Sequence, residues 1–129
     1  MRYLILACDY DGTLALNGHV NQETVQALER LLATGRKLIL VTGRELPQLQ
    51  AIFPEIHLFE WVVAENGALL YSPGTREQKL LGAVPPESFI QILKQKGVTP
   101  LSVGQCVVAT WKPHEKAVLE SIQIGRAHV

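Results

Sequence analysis

Two apolar runs of strand length each stop abruptly on polar residues. Tyr3–Cys8 ends in Asp9-Tyr10-Asp11-Gly12-Thr13-Leu14, and Leu38–Val41 ends in Thr42-Gly43-Arg44. Between them Val25, Leu28, Leu31 and Leu32 recur at helical spacing, which predicts a helix over Gln22–Thr34 with Asn21 as its N-cap and Gly35 as its stop. Strand, helix and strand over so short a span form a βαβ unit, whose crossover makes the two strands parallel and brings their carboxyl ends to one edge. A third buried strand, Trp61–Ala64, ends in Glu65-Asn66-Gly67-Ala68. Open parallel sheets bind ligands beyond the carboxyl ends of their strands, so Asp9, Asp11, Thr42, Gly43, Arg44 and Asn66 are expected at one mouth. The fold class is α/β.

Smaller signals fill in the first half. Asn17-Gly18 between Leu16 and Val20 predicts a tight hairpin, and Pro47 and Pro54 bracket a helix over Glu45–Phe53. Past residue 68 the pattern changes. Short strands are expected at Leu69–Tyr71, Lys79–Leu81 and Cys106–Trp111, one helix from Pro86 to Gly97 and another from Pro113 to Ile122. Strands and helices in that order form an α+β module, which places a boundary near residues 68 to 70.

The chemistry concentrates in Asp9 and Asp11. Strand side chains alternate, so carboxylates at i and i+2 leave the strand end pointing the same way, with Gly12 permitting a tight turn beside them. Like charges about 4 Å apart repel by roughly 4 kcal/mol at an effective dielectric of 20, so such a pair calls for a cation, a shared proton or water. A calcium loop would carry Gly at its sixth position and Glu at its twelfth; here Gly is fourth and the twelfth residue is Val20. A carboxylate nucleophile meeting a phosphate dianion needs a divalent cation to offset the repulsion. Mg²⁺ could take Asp9 and a backbone carbonyl of the Asp9–Asp11 turn. Asp9 would then attack, and Asp11 would serve as acid and base. Thr42 with the N–H groups of Gly43 and Arg44, at a strand end that opens a helix, forms a candidate phosphate clamp.

Asp9-Tyr10-Asp11-Gly12-Thr13-Leu14 after an apolar strand resembles the first motif of the haloacid dehalogenase (HAD) superfamily of phosphohydrolases, and Thr42 after Leu38–Val41 resembles its second. Val41-Thr42-Gly43-Arg44 followed by Glu65-Asn66-Gly67-Ala68 is most similar to the Cof-type (IIB) subfamily. The resemblance implies a Rossmann-like parallel sheet with its first strand central and an α+β cap inserted after the third strand. It also implies Mg²⁺-dependent phosphatase action on small phosphorylated metabolites, often sugar phosphates, through an aspartyl-phosphate. Residue by residue it implies Asp9 as nucleophile, Asp11 as acid and base, Thr42 on the phosphate, and metal contacts from the Asp9 side chain and the Asp11 backbone. The family's later motifs, a Lys and a Gly-Asp-x-x-x-Asp cluster, are not found: Lys94, Lys96, Lys112 and Lys116 all fall in the cap region and no Gly-Asp dipeptide occurs.

The expectation is therefore an N-terminal piece: residues 1–68 as half of the catalytic core and 69–123 as the first part of the cap. The 129-residue chain is expected to be inactive or nearly so by itself, and to expose an apolar sheet edge. Read back through the codon table, Ile124-Gly125-Arg126-Ala127-His128-Val129 matches a common sequencing-library adapter translated in frame, so 124–129 is read as an artefact and set apart from the fold. The rival readings are a phosphomutase and a non-catalytic phosphate-binding module.

Charge bounds the partners. Twelve basic and twelve acidic residues cancel, which leaves no electrostatic footprint for nucleic acid or an anionic membrane. Tyr3–Cys8 is too short for a signal-peptide core, and the chain is read as cytoplasmic. Cys8 and Cys106, far apart and unpaired in sequence, read as small buried hydrophobes. His114-Glu115 lacks the second His of a zinc motif, since Val118 stands there, and His19, His57 and His128 read as turn or surface residues.

Overall fold

The computed structural model describes residues 3–127. The chain forms two compact units, one ending at Gly82 and the other beginning at Ala83.

The first unit is built on a five-stranded sheet. β1 (Ile5–Asp9), β4 (Lys37–Val41) and β5 (Trp61–Ala64) run parallel, with Asp9 opposite Val41 and Val41 opposite Val63. That register sets the three carboxyl ends side by side. β6 (Leu69–Ser72) and β7 (Glu77–Leu80) then continue the sheet antiparallel, in the order β1-β4-β5-β6-β7. The helix α1 (Gln22–Ala33) starts where the sequence places it, with Asn21 Oδ1 accepting the Thr24 N–H at 2.8 Å, and Gly35 follows with φ +88°. β2 (Ala15–Leu16) and β3 (His19–Val20) form the expected hairpin, with φ +52° at Asn17 and +83° at Gly18, the signs a type I′ turn demands. α2 is short, Leu46–Ile52. The core between sheet and helices is filled by Leu38, Leu40, Leu46, Leu49, Val62 and Phe53, whose ring stacks obliquely on Tyr10 with centroids 5.3 Å apart.

The central first strand is what the resemblance implies for the whole fold; in this chain β1 lies at the edge of the sheet, because β4 is its only strand partner among the described residues. Its other side carries the exposed apolar edge that was anticipated: Tyr3 is 76%, Leu4 71% and Ile5 55% exposed. The sheet does not stop at residue 68. Glu65, Asn66 and Gly67 all adopt positive φ, 49°, 56° and 97°, a tight reversal that sends the chain back beside β5. The strands past the expected boundary therefore pair with the core sheet, and the compact unit ends at Gly82.

The second unit holds α3 (Glu87–Gln95), the hairpin of β8 (Leu101–Val103) and β9 (Val108–Thr110), and α4 (Glu115–Ala127). α3 packs on α4 through buried Ile90 and Leu93, and a Lys96–Glu120 ion pair of 3.0 Å bridges the two. β8 was not anticipated, the strand expected over 106–111 shrinks to 108–110, and α4 runs past Ile122 to Ala127. Residues 124–127 of the expected artefact are thus helical, and His128 and Val129 lie outside the described residues. Cys8 is buried, which pushes its thiol pKa up, whereas Cys106 is only half-buried. His57 and His114 sit against the backbone carbonyls of Pro54 and Thr99. No helix among the described residues is long and apolar enough to cross a membrane.

Candidate active site

The site is assembled from three loops at the carboxyl ends of β1, β4 and β5. The first winds around a single carbonyl: Tyr10 O accepts the N–H groups of Thr13 (3.3 Å), Leu14 (3.0 Å) and Ala15 (2.9 Å). Gly12, at φ +78°, makes that winding possible and donates its own N–H to Ala15 O at 3.0 Å. Strand alternation decides where the side chains go. Tyr10 is fully buried in the core, whereas Asp9 and Asp11 on either side of it are exposed.

Backbone hydrogen bonds stitch the loops together. Tyr10 N–H donates to Val41 O at 3.1 Å and Thr42 N–H to Val63 O at 2.8 Å. Glu65 N–H reaches Arg44 O at 3.1 Å and Asn66 N–H reaches Thr42 O at 3.2 Å. Gly43 packs directly under Asn66: a Cβ at position 43 would lie 2.8 Å from Asn66 Oδ1. Thr42, Gly43 and Asn66 are thus brought together as expected. The clamp is smaller than expected, because Arg44 N–H is taken by Thr42 Oγ1 at 3.0 Å and is not presented to a ligand. The buried Thr42 hydroxyl keeps its own proton to donate.

Arg44, of which only the backbone N–H was expected at the phosphate, turns its side chain to Asp11. Its Nε donates to Asp11 Oδ2 at 2.7 Å and its Nη2 to Asp11 Oδ1 at 2.9 Å, a two-point ion pair. The guanidinium lies 5.7 Å from the centroid of the Tyr10 ring, and Gly18 at the hairpin tip is close enough that a Cβ there would meet Nη2 at 3.4 Å. Tyr10 Oη in turn donates to Gly18 O at 2.8 Å and pins the hairpin. The hydrogen bonds from Arg44 hold the Asp11 carboxyl below the usual Asp range, and partial burial only partly opposes them. Arg44 is shifted up by the same bonds. Tyr10 is the residue the sequence reading missed; its signal was an aromatic at the inward position between two outward carboxylates.

Asp9 is left as the contrasting partner. Its carboxylate has no hydrogen bond or ion pair among the described residues. No group of three or more His, Cys, Asp or Glu side chains gathers to hold a metal among the described residues. The donor chemistry still suits Mg²⁺, which accepts one or two protein oxygens and fills its remaining positions with water and phosphate oxygens.

Residues 6–121 match the family model for haloacid dehalogenase-like hydrolases. The chain is 41% identical over 80 residues to the phosphatase candidate YxeH of Bacillus subtilis, covering 58% of this chain and 29% of that protein. It is 29% identical over 115 residues to the phosphoglycolate phosphatase of Halorubrum lacusprofundi, covering 88% of this chain and 48% of that one. The chain therefore matches less than half the length of these curated relatives. Among solved structures, the HAD subclass IIB sugar phosphatase BT4131 superposes with a TM-score of 0.58 at 25% identity, over 89% of this chain and 46% of that one.

Proposed function

Because the chain belongs to the haloacid dehalogenase-like hydrolases, we propose that it carries the nucleophile half of a Mg²⁺-dependent phosphomonoesterase. The substrates are small phosphorylated metabolites, sugar phosphates foremost, and the location is the cytoplasm. The observation that carries this reading is the division of labour between two carboxylates two residues apart. Asp9 is exposed at a strand end, its carboxylate without a partner among the described residues, while Asp11 is held by Arg44. Two neighbouring carboxylates with different partners can take different roles in one site.

In the first step Asp9 Oδ attacks phosphorus, the bond from phosphorus to the ester oxygen breaks, and the departing oxygen takes the proton of Asp11. In the second, Asp11 as carboxylate removes a proton from water, whose oxygen attacks the phosphoryl group, frees Asp9 and releases phosphate. Asp11 ends the cycle protonated, ready for the next. Without substrate Arg44 keeps Asp11 ionised. A phosphate dianion arriving beside it works in the opposite direction, toward the acid form. Thr42 and the Gly43 N–H would orient the phosphoryl oxygens, with the Asn66 amide packed against Gly43 behind them. The Asp9 carboxylate and the Asp11 backbone carbonyl would hold Mg²⁺, which supplies charge neutralisation at the phosphoryl oxygens.

Covalent labelling tests the proposal. Because the chain spans less than half the length of its curated relatives, the test uses a longer protein that contains these residues and the later motifs. Incubated with Mg²⁺ and a small acyl phosphate, a strong phosphoryl donor, that protein should carry a hydroxylamine-labile phosphate on Asp9 that is absent from Asp9→Asn. Labelling elsewhere, or none together with no Asp9-dependent release of phosphate, would sink it.

A further inference from the structure

The geometry points to Arg44 as a positioning residue, one that aims Asp11, and not as a ligand of the phosphate. This rests on the reading of Asp11 as the acid and base.

Three observations converge on it. Arg44 spends its Nε and Nη2 donors on both oxygens of one carboxylate, the geometry in which a planar guanidinium fixes the rotation of its partner as well as its place. The side chain is itself confined, with the Tyr10 ring 5.7 Å from its carbon and Gly18 beside Nη2. Tyr10 closes the circuit: its hydroxyl bonds Gly18 O, and its backbone N–H bonds Val41 O on the strand that leads to Arg44. Asp11 is therefore held by the guanidinium, and the tip of the β2–β3 hairpin by the Tyr10 hydroxyl, on a ring that lies beside the guanidinium. An arginine serving mainly as a phosphate ligand would keep its fork open toward the mouth. Here the backbone N–H of Arg44 is also turned inward, onto Thr42 Oγ1.

The consequence is a separation of tasks. Phosphate is met by Thr42 and Gly43, while Arg44 keeps the acid–base group from swinging free. Loss of Arg44 should leave a carboxylate that is present but unaimed. A lysine should not substitute, because a point charge cannot hold two oxygens in a plane.

Side-chain NMR of the 129-residue chain reads this directly. In the wild type the Arg44 Nε–H should exchange with water at least about tenfold more slowly than in Asp11→Asn. Titration with inorganic phosphate should move the Thr42 and Gly43 amide signals and leave the Arg44 Nε–H signal in place. An Nε–H unprotected in the wild type, or one that follows phosphate with the same midpoint as Gly43, overturns the assignment. If phosphate moves no amide at Thr42 or Gly43, the phosphatase reading fails instead, and the comparison with Asp11→Asn still decides the role of Arg44.

Discussion

Arg44 and Asp11, 33 positions apart in sequence, meet in a two-point ion pair whose donor–acceptor distances are 2.7 and 2.9 Å. Local sequence could not announce it: Arg44 opens a loop after β4, and only the parallel register of β1 with β4 brings that loop beside the Asp9–Asp11 turn.

The pair makes stability depend on pH in one direction. Asp11 has a lower pKa folded than unfolded, so its contribution is fully present above the unfolded value of about 3.9 and is lost as pH falls through the folded value. With the Asp11 side chain 49% and the Arg44 side chain 32% exposed, solvent screening limits the gain to about 0.5–1 kcal/mol. Urea titrations should show Asp11→Asn less stable by that amount at pH 7, with the gap narrowing below about pH 4. A gap that stays constant down to pH 3 would contradict the assignment.

Asp9→Asn should behave differently. With no protein partner among the described residues to lose, its stability should stay within about 0.5 kcal/mol of the wild type, while phosphoryl transfer to position 9 disappears. Thermal denaturation beside the labelling experiment separates the two effects.

Gly43→Ala should cost about 1–3 kcal/mol, because the added methyl would sit 2.8 Å from Asn66 Oδ1. Asn66→Ala should relieve much of that penalty, so the double variant should be markedly more stable than additivity predicts. Strict additivity in a double-mutant cycle would show that a methyl at position 43 does not meet the Asn66 side chain.

Tyr10→Phe keeps the buried ring and removes one hydrogen bond, from Oη to Gly18 O. A loss of about 1 kcal/mol is expected, concentrated in faster amide exchange over residues 15–20. Uniform acceleration across the sheet would argue against a local anchor.

The outer side of β1 should make the chain self-associate, since an unpaired apolar strand edge templates further strands. Replacing exposed Ile5 by Lys should raise the concentration at which light scattering appears several-fold. No change would place the association elsewhere.

The elements easiest to read from sequence were those with a local physical cause. Asn21 caps α1 because its side chain can reach the Thr24 N–H, and Asn17-Gly18 turns because both residues tolerate positive φ. The strand ends that build the mouth were legible for the same reason, each being an apolar run stopped by polar residues. What escaped was settled by pairing partners. Leu101-Ser102-Val103 is too short to show a period and becomes a strand only opposite Val108–Thr110. Leu69–Ser72 and Glu77–Leu80 carry no mark that they belong to the first sheet; the reversal at 65–67 decides it. The position of β1 at the edge likewise depends on which strands are available to pair with it. At the site, residue types are readable but hydrogen-bond partners are not, so the pairing of the Arg44 side chain with Asp11 and the anchoring role of Tyr10 are visible only in the fold.

The hydrogen bonds from Glu65 N–H to Arg44 O and from Asn66 N–H to Thr42 O are made by main chain to main chain. Those two supports do not depend on which side chains stand at 42 and 44, whereas the seating of the Arg44 N–H and the aim of Asp11 do. The site thus rests on a main-chain frame that many sequences could build and on two side chains that few could replace.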